Sequence, residues 1–145
     1  MFRPNFKVLK VFRLGLSYAN QQLADIEISS GLVYFIIELS QVEWLSMTGL
    51  SAAVGVDNAY ATRAVEKLSA LGYVNRVQDE QDRRAFRVSL TDKGWQVAER
   101  VVQTMKKWVE IVTDGVSMED LVTVIGFSTS SIKMRSEACR NRRLR

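Results

Sequence analysis

Apolar residues recur along this chain at two periods, and each change of period marks an element. From residue 5 to 27 the period is helical: Val8, Phe12, Leu16, Ala19 and Leu23, with Val11, Leu14 and Tyr18 widening the stripe. A stripe this broad predicts a helix buried against more than one neighbour, another chain included. Pro4 sits at its start, where a missing N–H costs nothing. Ser29-Ser30-Gly31 breaks it, and either serine can cap the next helix, 32–41, whose inner side is nearly all apolar. Glu43-Trp44-Leu45 reads as a connector.

Ser46 or Thr48 can then cap a short helix carrying Leu50, Ala53 and Val54, and Gly55 breaks it where a left-handed residue is cheap. Asp57 caps a longer helix whose apolar face holds Ala59, Ala61, Ala64, Val65, Leu68 and Leu71, with Gly72 as its stop. Ala59 and Ala61 leave its front small enough for close approach of another backbone. A short helix, a glycine turn and a longer helix form a helix-turn-helix arrangement. The period then drops to two. Residues 73–77 and 85–90 alternate, the second with Phe86, Val88 and Leu90 on one face, around the polar run QDEQDRR. Seven loop residues make a projecting hairpin. Thr91 caps a long helix in which Trp95, Ala98, Val102, Met105, Val109 and Val112 form a heptad seam. Asp114-Gly115 ends it, and Ser117-x-x-Asp120 opens a last helix through Leu121, Val124, Ile125, Ser128 and Ile132.

These elements give a mainly α fold with a small β-hairpin wing. Residues 30–92 form a winged helix-turn-helix lobe, and 1–29 with 93–145 a helical dimerisation region, in one 145-residue domain. Composition narrows the function. No histidine occurs, which removes Ser-His-Asp and Cys-His nucleophiles and every histidine-containing metal site. No nucleotide fingerprint or zinc spacing appears, so neither an enzyme nor a cofactor is expected. No apolar run approaches the roughly 20 residues that span a bilayer, and no signal peptide is read, so a cytoplasmic location is expected. One cysteine, Cys139, permits no internal disulfide; it lies among arginines, which lower a thiol pKa, yet a lone cysteine near a terminus is more often incidental. Net charge is +4, with both ends basic: Arg3, Lys7, Lys10 and Arg13 at the start, and Lys133, Arg135, Arg140, Arg142, Arg143 and Arg145 at the finish. Such tails are auxiliary phosphate binders or plain solvated ends.

A helix fits the major groove of B-DNA with its N-terminal residues toward base edges. Here those are Asn58, Tyr60, Thr62 and Arg63, whose amide, hydroxyl and guanidinium groups suit bases and phosphates. Arg83 and Arg84 at the hairpin tip can enter the minor groove. Residues 57–87 hold six bases and five acids, too balanced for simple polyanion adhesion, so Asp82 is expected to orient an arginine. The surplus apolar surface of the first stripe and the heptad seam predicts a two-fold dimer with recognition helices one DNA turn apart, on an inverted repeat. The alternative is a protein-interaction module that uses the same fold without reading DNA.

The run Asp82-Arg83-Arg84-Ala85-Phe86-Arg87-Val88-Ser89-Leu90-Thr91 fits D-x-R-x-x-x-x-x-L-T. It follows LSALGYVNR and precedes Asp92-Lys93-Gly94. In this setting the chain resembles the MarR family of winged-helix transcription regulators over residues 46–95. The resemblance implies a homodimer held by N- and C-terminal helices, and a repressor of nearby genes relieved by a small-molecule effector. It implies Asn58, Tyr60, Thr62 and Arg63 in the major groove, Arg84 in the minor groove, and Asp82 bracing the wing. Tyr18 and Trp44 are the candidate effector-pocket residues, against a plainer role as core aromatics. Asp57 stands where many relatives carry serine, and the helix before it lacks the family's usual charged residues.

Overall fold

The computed structural model describes residues 6–120 and 122. Its elements run α1 (Phe6–Gln22), a 3-10 turn (Ala24–Ile26), α2 (Ser30–Leu39), β1 (Leu45–Ser46), α3 (Met47–Val54), α4 (Asn58–Ala70), β2 (Val74–Gln78), β3 (Phe86–Leu90) and α5 (Asp92–Thr113). The chain divides into two compact units, Met1–Trp108 and Val109–Arg145. The expected helix through Leu121 to Ile132, Cys139, the basic C-terminal tail and Arg3 lie outside the described residues.

In the first unit, α2 is the centre of the core. Leu32, Val33, Phe35, Ile36 and Leu39 are buried on it, in one cluster with Leu23 just past α1, Leu50 of α3, Val65 and Leu68 of α4, Val88 of β3 and Val101 of α5. Each such side chain contributes roughly 1.5–3 kcal/mol by leaving water. This rigid centre fixes α4 and the hairpin to one scaffold.

The first helix is shorter than its periodicity predicts. It stops at Gln22, and the chain passes through the 3-10 turn to Glu27, a non-glycine residue at φ 56°. Tertiary partners take the freed carbonyls there. Arg100 donates to Gln22 O at 2.9 Å and forms a fork to both Asp25 carboxylate oxygens at 2.6 and 2.7 Å, while the Tyr73 hydroxyl donates to Ile26 O at 2.9 Å. Arg100 holds the Asp25 carboxyl below the usual range. Burial, helped by Glu27 and Asp25, pushes the Tyr73 phenol up. Neither Ser29 nor Ser30 caps α2 with its side chain. Ser29 holds the cap position, but Asn20 Oδ1 of α1 accepts the Ser30 N–H at 2.6 Å.

The stripe of α1 is split by burial. Ala19 and Leu23 join the core, and Gly15 lies under Trp108, whose indole nitrogen would stand 2.7 Å from an added Cβ. Leu9, Val11, Phe12 and Leu14 face solvent, Phe12 at 53%. The heptad seam on α5 is likewise not what the lobe buries. Gly94, Val97, Ala98, Val101 and Thr104 are buried, whereas Trp95 is 47% and Val109 53% exposed. Of the predicted seam, only Ala98 is buried outright.

The connector at Leu45 hides a third strand. Leu45 and Ser46 pair antiparallel with Val88 and Arg87, so the sheet order is β1-β3-β2. On the other side of β3, Val74 pairs with Leu90 and Gln78 with Phe86. Ser46 then caps α3, accepting the Gly49 N–H at 3.0 Å. Thr91 begins α5 the same way, accepting from Gly94 at 2.9 Å. In the second unit, Gly115 (φ 74°) follows α5, and Ser117 accepts the Asp120 N–H at 3.1 Å.

Candidate nucleic-acid interface

The turn between α3 and α4 is built by its backbone. Gly55 adopts φ 79°, and its N–H and that of Val56 both donate to Ser51 O, at 2.9 and 3.0 Å. Asp57 then starts α4, its carboxylate accepting the Tyr60 N–H at 2.7 Å. Ala61, Ala64, Val65 and Leu68 form the buried face of α4. The two alanines part: Ala61 is 0% exposed, on the apolar face and not in front, while Ala59 is exposed in front and not on the apolar face, because a step of two crosses the helix. The outer face is Ala59, Thr62, Arg63 and Glu66, one row at spacings of three and four.

The predicted base-reading residues are all near the start of α4, but two are already engaged. Asn58 Oδ1 accepts the hydroxyl of buried Ser51 at 2.6 Å, and Thr62 Oγ1 donates to Asn58 O at 2.8 Å. Tyr60 leans back onto α2. Its hydroxyl would lie 2.6 Å from a Cβ on Gly31, and its ring sits 6.1 Å from that of Phe35. The Arg63 guanidinium stands 5.9 Å from the Tyr60 ring and is exposed.

Arg83 and Arg84 are exposed at the wing tip. The tip is held by a closed set of bonds. Asp82 Oδ1 accepts the Arg84 N–H at 3.0 Å, Asp82 O accepts from Ala85 at 2.8 Å, and the Gln78 amide donates to Arg83 O. Asp82 therefore positions the backbone of Arg84 and not a guanidinium. The carboxylate that meets an arginine is Asp79. It pairs with Arg87 Nε at 2.5 Å and accepts the N–H groups of Gln81 and Asp82 at 2.8 and 3.1 Å. The Arg87 bond, then those two backbone donors, lower the Asp79 pKa to about 2.

Trp44 and Tyr18 are not brought together by any contact among the described residues. The Trp44 ring carries the Arg87 guanidinium at 4.1 Å, so it belongs to the wing root. Tyr18 packs on Trp108, ring centres 5.5 Å apart. Arg76, on the strand opposite, lies over Phe86 at 4.0 Å. The sequence pattern missed the Trp44–Arg87–Asp79 stack, since Trp44 lies far from the hairpin along the chain. The even spacing of Asp79 and Arg87 about the loop is the one local signal that points to it. Among the described residues, no cluster of acids and cysteine could hold a metal ion, and no helix is long and apolar enough to cross a membrane.

The fold and sequence have known counterparts. A family model described as the MarR family matches residues 35–86. The chain is 33% identical over 103 residues to the HTH-type transcriptional regulator BilQ of Clostridium symbiosum, covering 71% of this chain and 72% of that protein. A BilQ from Clostridioides difficile is 30% identical over 91 residues, and the match spans 62% of its length, under two thirds. Among solved structures, a MarR transcriptional regulator from Methanosarcina mazei superimposes with a TM-score of 0.77 at 27% identity, covering 93% of this chain and 94% of that one.

Proposed function

The chain belongs to the MarR family of winged-helix transcription regulators, and on that premise we propose that it is a sequence-specific, ligand-responsive repressor that binds an inverted repeat as a homodimer. The observation that carries this reading is the pairing of a capped helix whose outer row exposes Ala59, Arg63 and Glu66 beside half-buried Thr62, and a wing whose tip holds Arg83 and Arg84 in the open. Arg63 approaches base edges in the major groove, and Arg83 and Arg84 the minor groove. Asp82 braces the wing through the Arg84 N–H. The exposed apolar residues of α1 and the seam on α5, Phe12 and Trp95 foremost, support the homodimer, because the lobe's own core leaves them uncovered. Residues 30–92 act as the DNA-binding lobe and the flanking helices as the dimerisation region, in the cytoplasm. A small-molecule effector releases DNA by changing the separation of the two recognition helices.

Two variants test it on a duplex selected for tight binding. Arg84→Ala lowers affinity for all sequences and reduces the salt slope by about one. Arg63→Ala lowers affinity and also relaxes base preference at one position, by about 1–3 kcal/mol. If neither change moves the affinity, the assignment of these residues is wrong.

A further inference from the structure

The hydrogen bonds around α4 leave few polar groups for reading bases. Adenine's major-groove edge calls for an acceptor and a donor from the same amide. Asn58 is tied to α3, because its Oδ1 accepts the Ser51 hydroxyl, which leaves one oxygen lone pair and the NH2 for a base edge. The Thr62 hydroxyl proton is committed to Asn58 O, which leaves the Thr62 methyl as its other group on the outer row. Tyr60 is turned toward Gly31 and Phe35. Helix α3 contributes no charge, and its exposed residues are Thr48, Ala52 and Ala53. Glu66, last on the row, lies about 4.5 Å beyond Arg63 along the axis, away from the end that approaches bases. What remains at the reading end is the Arg63 guanidinium, the Asn58 amide, the exposed part of Tyr60 and two methyl groups, those of Ala59 and Thr62. The major groove offers one apolar partner for a methyl, the thymine 5-methyl.

We infer that α4 selects its half-site through thymine methyl groups contacted by Ala59 and Thr62, beside the polar contacts of Arg63 and the Asn58 amide. The inference rests on the DNA-binding reading above and names the class of site: half-sites with thymine within one or two base pairs of the guanine that Arg63 contacts. Residues three and four apart on a helix stand about 5–6 Å from each other, which matches that span.

The test uses the full-length protein and the tightest duplex from a random pool. Each thymine of one half-site is replaced singly by uracil, which deletes only the methyl, and affinity is read by fluorescence anisotropy. One or two positions should lose about fourfold, the effect of one buried methyl. That loss should disappear in Thr62→Ser, which keeps the bond to Asn58 O, or in Ala59→Gly; thermal melts establish that both variants fold. Uracil tolerated at every position would overturn the methyl reading and leave DNA binding intact. A uracil effect that persists undiminished in both variants would overturn the assignment to these two residues. A pool that yields no duplex bound above the non-specific level would overturn the DNA-binding reading and this inference with it.

Discussion

Adding one methyl at Gly94 tests how closely the wing root is packed on α5. A Cβ there would lie 1.9 Å from Tyr73 O, 3.0 Å from the Tyr73 carbonyl carbon and 3.3 Å from Leu90 Cβ. The nearest two are backbone atoms, which cannot rotate away. The same carbonyl oxygen accepts the Thr91 N–H at 3.0 Å, so displacing it also weakens a hydrogen bond worth about 1 kcal/mol. Overpacking costs a further 1–3 kcal/mol or so. Against this, alanine is a better helix residue than glycine by about 1 kcal/mol. The net loss for Gly94→Ala is about 1–3 kcal/mol, or roughly 3–10 °C in Tm at this chain length. Circular dichroism melts measure it, with the exposed Gln96→Ala as a control expected within about 0.5 kcal/mol of the parent. A Gly94→Ala protein that melts at or above the parent would show that helix propensity wins and that the close approach is not a constraint.

Asp79 should titrate near 2, as against the ordinary 3.8, in an NMR pH titration of the side-chain carboxyl carbons. Because the folded value is depressed, the brace contributes stability above about pH 4 and loses it as pH falls through about 2; Arg87→Ala should bring Asp79 back toward 3.8, and an Asp79 that titrates at 3.8 in the intact protein would refute the stack. Phe12→Glu should weaken the dimer by about 3 kcal/mol or more, since a two-fold interface repeats each loss, so sedimentation at micromolar concentration should show a hundredfold weaker association. An unchanged dimer would remove the exposed stripe of α1 from the interface.

Much of the fold was legible because its punctuation is local. Asp57, Gly55, Gly72 and Thr91 each act through bonds or dihedrals within four residues, and each stands where the sequence placed it. The features that escaped depend on distant partners. A two-residue strand at Leu45 has no alternation to read, and exists because Val88 and Arg87 lie beside it. The end of α1 was set by Arg100 and Tyr73, far along the chain. Within the wing, the motif singles out Asp82, yet its carboxylate serves a backbone N–H while Asp79 takes the arginine. On α4, residue types alone could not reveal that Ser51 occupies one side of the Asn58 amide. Periodicity on α5 found a seam, but only packing could separate the stripe the lobe buries from the one it leaves uncovered.

Enrichment from a random duplex pool, sequenced and followed by measurement of chains bound per duplex, decides whether this chain reads DNA as a two-fold dimer. The enriched duplex should be an inverted repeat with half-site centres about 34 Å apart, occupied by two chains. Failure to enrich any motif, or a single half-site saturated by one chain, would contradict it.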